Sequence, residues 1–185
     1  MRLSTFLPFF FFLSLALPSN AQSIKAPRGF APQVGTLMYQ LDDLKGRVTR
    51  SVRSLDQAGT DFLLDDQANR VGAMIQHLAA VEVYYQVLTF ENRGFNAEEQ
   101  AKWGLALDLG GKAREKLVDQ PISYYLDQWD EVRRRTTELL KTRDDKWLAD
   151  KVSGYSMNNH WAWYHVMEHQ ANHMGQIRMI VKRIP

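Results

Sequence analysis

Three of the five histidines fall in one run, His165-Val-Met-Glu-His169-Gln-Ala-Asn-His173, four residues apart. On a helix, side chains at i and i+4 lie on one face, one above the other. Neutral imidazoles in that arrangement can hold a transition metal from two sides. Reach limits how many of them cooperate. A rise of 1.5 Å per residue sets i and i+8 roughly 12 Å apart, while metal–nitrogen bonds are about 2.0–2.1 Å. One ion therefore takes an adjacent pair, His165/His169 or His169/His173, and spacing alone does not choose between them. The chain has no cysteine, so a thiolate nucleophile and thiolate metal ligands are excluded, and any metal is bound by nitrogen and oxygen.

A third ligand has to come from another element. His77 is the one histidine outside the last thirty residues. It lies on the flank of a helical stripe, near Val81, Tyr84 and Leu88, where it can face a neighbouring helix. Three histidines from two helices would leave an open coordination position, as in catalytic zinc sites. The neighbouring acids are weaker candidates. Glu82 sits at the opposite edge of its stripe from His77 and reads as a core-edge carboxylate paired with another polar group. Glu168 points about 100° away from His169 and reads as solvated. His160 falls at a helix start, as a cap or rim residue, and His165 supports the site or sits at its rim. Most of Trp161, Trp163, Tyr164, Tyr84 and Tyr85 read as core packing, with some left to line a pocket.

The elements that position these residues are helical. Leu37, Leu41, Leu44, Val48, Val52 and Leu55 recur at spacings of three and four, which predicts a first amphipathic helix. Val71, Met74, Ile75, Leu78, Val81, Tyr85 and Leu88 predict a second. Ile122, Tyr125, Leu126, Trp129, Val132, Thr136, Leu139 and Leu140 predict a third, with Pro121 suited to its first turn. The fourth runs from about Asn158 to Lys182. Its core face carries Ala162, Val166, Ile177 and Ile180, and His169 and His173 share that face. Between the second and third helices, Asn96 with Glu99 resembles a capping box and predicts a short extra helix, interrupted by Gly110-Gly111. Residues 143–157 read as a connection. No segment of useful length alternates as a half-buried strand does. The predicted fold is all-α: a four-helix bundle with a long connection from helix 2 to helix 3. Bundle cores of this kind hold metals between facing helices.

The first residues have a different composition. Met1-Arg2 supplies a charge, Phe6 to Leu17 is almost unbroken apolar sequence, and Pro18-Ser19-Asn20-Ala21 offers small residues before Gln22. Charged, apolar, then small is the order of a secretory signal, and the apolar run falls short of the roughly 20 residues that span a bilayer. The reading is a signal peptide over 1–21, a leader over 22–30 and one domain over 31–185. The protein is then exported, periplasmic or secreted, with no stable membrane insertion after cleavage. With 23 basic and 21 acidic residues and no basic cluster, nucleic acid is not expected as a partner. The densest basic run, Arg133-Arg134-Arg135, lies beside Asp130 and Glu131 and reads as a solvated face. The expected partner is an unidentified small-molecule substrate, and a homodimer is compatible with the bundle.

At Gln76-His77-Leu78 with Glu82, and at His169-Gln-Ala-Asn-His173-Met-Gly175-Gln176-Ile177, the chain resembles the DinB-like superfamily. That superfamily includes the DNA-damage-inducible DinB proteins and YfiT-like proteins regarded as metal-dependent hydrolases. Its last-helix signature is a histidine, three residues, a second histidine, then commonly Arg-Gly-Gln and an aliphatic residue. Met174 stands here in place of the arginine. The resemblance spans roughly residues 31–183. It implies a four-helix bundle holding a divalent ion, commonly zinc or nickel, on three histidines, which map to His77, His169 and His173. It implies further that Gly175 allows close helix packing and that Gln176 lies near the site. Some relatives resemble thiol transferases that use bacillithiol or mycothiol. Such thiols are chiefly cytosolic, so the signal-like N-terminus favours a metal-dependent hydrolase for this chain. The alternatives are a non-enzymatic metal- or ligand-binding bundle, a thiol-dependent transferase and a metal-free bundle with hydrogen-bonded histidines. No catalytic acid or base is assigned.

Overall fold

The computed structural model describes residues 23–185, so the signal-like segment over 1–21 lies outside the described residues. Eight helices and no strand occur among them: α1 (Pro32–Val52), α2 (Gln57–Thr60), α3 (Val71–Glu91), α4 (Ala97–Asp108), α5 (Gly110–Lys116), α6 (Ile122–Lys141), α7 (Asp145–Ala149) and α8 (Asn159–Val181). The four long ones, α1, α3, α6 and α8, are the four that hydrophobic periodicity predicts. Each packs on two others in a closed ring, α3 against α6 and α8 and α1 against α8 and α6. The all-α bundle is therefore the fold. No helix among the described residues is long and apolar enough to cross a membrane.

Local chemistry sets the ends of these helices. Asn96 and Glu99 form the predicted capping box, each side chain accepting from the other's backbone N–H at 2.8 Å, which satisfies two of the first-turn donors. Asn158 starts α8 by accepting from Trp161 N at 2.8 Å. Asn92 ends α3 in the left-handed region, with φ of 52°, a conformation asparagine tolerates better than most residues. The connection over 143–157 contains α7. Its Asp145 accepts from the backbone N–H groups of Gln33 and Val34 at 2.9 and 3.1 Å and so caps the start of α1 from another part of the chain.

α3 is buried on nearly every side, from Val71 to Val81 without a break. A helix that is apolar all round belongs in an interior, and α4 is the element that covers its remaining flank. Gly72 lets α6 approach closely: a Cβ there would stand 2.4 Å from Tyr125 Cε2. At Gly175 a Cβ would meet nothing within 4 Å, so the expectation of close packing at Gly175 is corrected. That residue faces open space on the outer side of α8.

The core divides into two main apolar clusters, one around Met74, Ile75, Leu78, Tyr125, Trp129 and Ile177, the other around Met38, Leu41, Leu140, Trp163 and Val166. Between them, at one level of the bundle, lies a polar layer. Glu82 is 0% exposed and Arg133 6%. Arg133 Nε and Nη2 donate to Glu82 Oε1 and Oε2 at 2.8 and 2.9 Å. Thr136 Oγ1 and Trp129 Nε1 donate to the same carboxylate at 2.5 and 3.0 Å, and Gln170 Nε2 donates at 3.3 Å. Asp42 of α1 accepts from Arg133 Nη1 at 3.1 Å. The solvated-face reading is therefore wrong for Arg133 and holds for its exposed neighbours Arg134 and Arg135. Glu82 lies fully inside the core, not at its edge, with Arg133 as its charge partner. Burial pushes the Glu82 carboxyl up, but the charge of Arg133 and the hydrogen bonds from Arg133, Thr136 and Trp129 outweigh it and hold the group below the usual carboxylate range.

Candidate metal centre

His77, His169 and His173 come together where α3 faces α8. One ring nitrogen of each lies within 4.8 Å of the other two. His169 Nε2 is 3.1 Å from both His77 Nε2 and His173 Nε2. Of the two adjacent pairs on α8, the one that meets His77 is His169/His173. A helix turns 400° over four residues, so both imidazoles reach the same side of α8.

The protonation state of His77 follows from its partner. Its Nδ1 lies 2.9 Å from the Ala106 carbonyl oxygen on α4. A carbonyl only accepts, so Nδ1 carries the hydrogen and the lone pair sits on Nε2, directed at the other two rings. This backbone contact fixes the ring in the way outer partners of metal-bound histidines do. The capping box foretells α4, but nothing local in the sequence shows that Ala106 would meet a residue 29 positions earlier.

Burial is the first cause of the low basicity of all three rings. It lowers His77 against opposing hydrogen bonds to the backbone of Ala106 and Leu107. His169 is pushed down to about 3 by burial and then by the neighbouring histidines. His173 is pushed down to about 4 by burial and then by His77, with Gln176 acting in the opposite direction. Gln176 thus lies beside the site, as the resemblance implies. The cluster is neutral at ordinary pH, which is the state that ligates metals.

These residues fit a divalent ion. A tetrahedral ion with bonds of about 2.0–2.1 Å sets its ligand nitrogens roughly 3.3 Å apart, close to the two 3.1 Å separations here. Hydrogen bonding fits less well, because a single hydrogen on His169 Nε2 serves only one of its two contacts. No carboxylate among the described residues joins the cluster.

The other candidates are placed as follows. His165 sits one turn before His169, half-buried at the rim, with Nδ1 donating to Glu168 Oε1 at 2.9 Å. Its ring stacks on Trp161 with centroids 5.2 Å apart and planes 7° from parallel. Glu168 is exposed, as expected, and so is His160. Trp163 belongs to the core, whereas Trp161 and Tyr164 are exposed. The Arg133–Glu82 pair is the feature sequence reasoning missed. A signal was available: Arg133 falls four residues after Trp129 and three before Thr136, on the buried stripe of α6.

An all-α bundle carrying three histidines on two facing helices, able to hold a metal ion, defines the class. The chain belongs to the mycothiol-S-transferase family, whose family model matches residues 36–184. The fold is also that of an uncharacterised protein from Escherichia coli UTI89 of known crystal structure, with a TM-score of 0.58 and 13% identity over 83% of this chain and 95% of that one. Comparison with curated proteins gives no match.

Proposed function

We propose that the protein is a divalent-metal enzyme, with His77, His169 and His173 as ligands, that transfers a group to or from a low-molecular-weight thiol. The observation that carries the metal site is the convergence of three neutral imidazole nitrogens within 4.8 Å. The family description carries the reaction class. A zinc or nickel ion held by these three histidines would supply Lewis acidity and lower the pKa of a thiol or water bound to it. In the transfer the thiol loses its proton, sulfur forms a bond to an electrophilic carbon, and the leaving group departs with its electron pair. His165 is placed to take that proton. Its Nδ1–H is committed to Glu168, which leaves Nε2 to accept, and its ring centroid is 5.9 Å from that of His169.

Hydrolysis is the second reading. It is favoured by the charged, apolar, small order over 1–21, because an exported enzyme would meet water more readily than a cytosolic thiol. Export itself belongs to this proposal. Metal analysis of the wild type and of His77→Ala, His169→Ala and His173→Ala tests the ligand set. The expected result is one ion per chain in the wild type and at least a hundredfold weaker binding in each variant. A wild type that takes up neither zinc nor nickel overturns it. Assays with small thiols and an aryl halide, beside ester and amide substrates, separate the reactions. Thiol-independent ester or amide turnover selects hydrolysis. His165→Gln keeps the metal and lowers kcat.

A further inference from the structure

The facing sides of α3 and α8 continue past the histidines as a row of rings. On α3, Tyr84 and Tyr85 follow His77 by seven and eight residues, so Tyr84 lies almost directly above it, about 10 Å along the axis. On α8, His165 and Trp161 precede His169 by four and eight residues, so Trp161 lies about 12 Å away in the same direction. The two helices run antiparallel, with Tyr85 against His165 at a centroid distance of 5.9 Å. At that far end opens a cleft of about 850 Å³, walled by Tyr85, Tyr155, Met157 and Trp161 and by the polar side chains of Lys151 and Asn158. Its volume is that of a small-molecule site. Trp161 is 49% exposed and Tyr155 45%, a large uncovered ring area for a protein that buries Trp129 and Trp163 completely. The Tyr155 hydroxyl is tied to that of Tyr84 at 3.1 Å, which fixes the loop before α8 as one wall.

We propose that this cleft binds the non-reacting end of the substrate: a flat ring that stacks on Trp161, bearing an anionic group beside Lys151, joined by about 12 Å of molecule to the atom that reacts at the histidines. The proposal deepens the reading of the histidine site and rests on it for the word substrate. The structural support is the stepped row Trp161, His165, His169, in which consecutive rings stand 5.2 and 5.9 Å apart and span the distance from cleft to cluster. Aromatic faces hold flat rings, and the Lys151 ammonium draws a carboxylate to one end of the stack.

The test uses 2-naphthoate as probe, titrated into the full-length protein by calorimetry, with neutral 2-naphthamide as control. Saturable one-to-one binding of naphthoate is expected, at least tenfold weaker in Trp161→Ala, and several-fold weaker both in Lys151→Gln and for the amide. Both substituted residues are exposed, and circular dichroism confirms that the variants fold. His173→Ala should lose the metal and keep the naphthoate affinity. With cobalt loaded in the wild type, the naphthoate protons should show paramagnetic relaxation consistent with about 12 Å from the ion. No naphthoate binding, or equal binding by wild type and Trp161→Ala, overturns the proposal even where the metal site is intact. Bound naphthoate without paramagnetic relaxation overturns the link between cleft and cluster. Loss of metal binding by the wild type sinks the reading of the histidine site and leaves the naphthoate result standing.

Discussion

Two polar clusters lie side by side inside this bundle, and they are built on opposite rules. Around Glu82 each carboxylate oxygen accepts more than one hydrogen bond, from Arg133, Thr136, Trp129 and Gln170. Five residues earlier on α3, and one residue earlier on α8, His77 and His169 bring nitrogen to nitrogen, and the Nδ1 atoms of His169 and His173 are buried without a hydrogen-bond partner. Buried polar groups are normally satisfied by the protein. The Glu82 layer obeys that rule and sets the register of α1, α3, α6 and α8. The histidine cluster departs from it while pointing three donors at one place. A saturated polar cluster does structural work; in the histidine cluster the unpaired Nδ1 atoms face away, and it is the three converging Nε2 atoms that can turn lone pairs on one ligand.

The largest effect that would sharpen this contrast is on stability. Glu82→Ala leaves Arg133 charged and buried without its main partner, at a cost of about 3–5 kcal/mol, read as a lower midpoint in urea. His169→Ala should leave the metal-free midpoint nearly unchanged. The reverse pattern, a tolerated Glu82→Ala with an unfolded His169→Ala, would break the comparison.

Acid separates the clusters next. His169 and His173 have folded-state pKa values of about 3 and about 4, below the ordinary 6.5. As pH falls through 6.5 the unfolded chain takes up protons that the fold excludes, so the metal-free protein loses stability between about pH 6.5 and pH 3. Above that window these rings contribute nothing to the pH dependence. The triple variant His77→Gln, His169→Gln, His173→Gln should flatten the slope, measured as melting temperature against pH.

The smallest effects come from the glycines of the two histidine helices, where the same contrast between filled and open space recurs. Gly72→Ala drives a Cβ into Tyr125 and should cost about 1–3 kcal/mol. Gly175→Ala meets open space and should add roughly 0.5–1 kcal/mol by removing a helical glycine. Thermal melts of the two variants should shift in opposite directions.

Much of this was legible before folding was considered. Periodicity predicts the four long helices because each buries one stripe, and the four-residue spacing of His169 and His173 puts both on one side of α8. The short helices α2, α5 and α7 were not legible, since four to seven residues carry too few turns to show a period. Arg133 was misread because its run of three arginines beside two acids looks solvated, while its partner lies 51 residues away. His77 read as a flank residue because the stripe of α3 was drawn without α4 covering that side.

By itself the sequence determined the four long helices, the all-α bundle, the absence of any cysteine thiolate of the chain's own and the set of imidazoles available, because these depend on residue type and on spacings within one turn. The tertiary structure alone decided which histidines meet, which nitrogen of His77 faces the others, that Glu82 and Arg133 saturate each other, and that a row of rings lies between the cluster and a cleft. Those depend on distances between residues tens of positions apart, which are fixed only when four apolar faces close on one another.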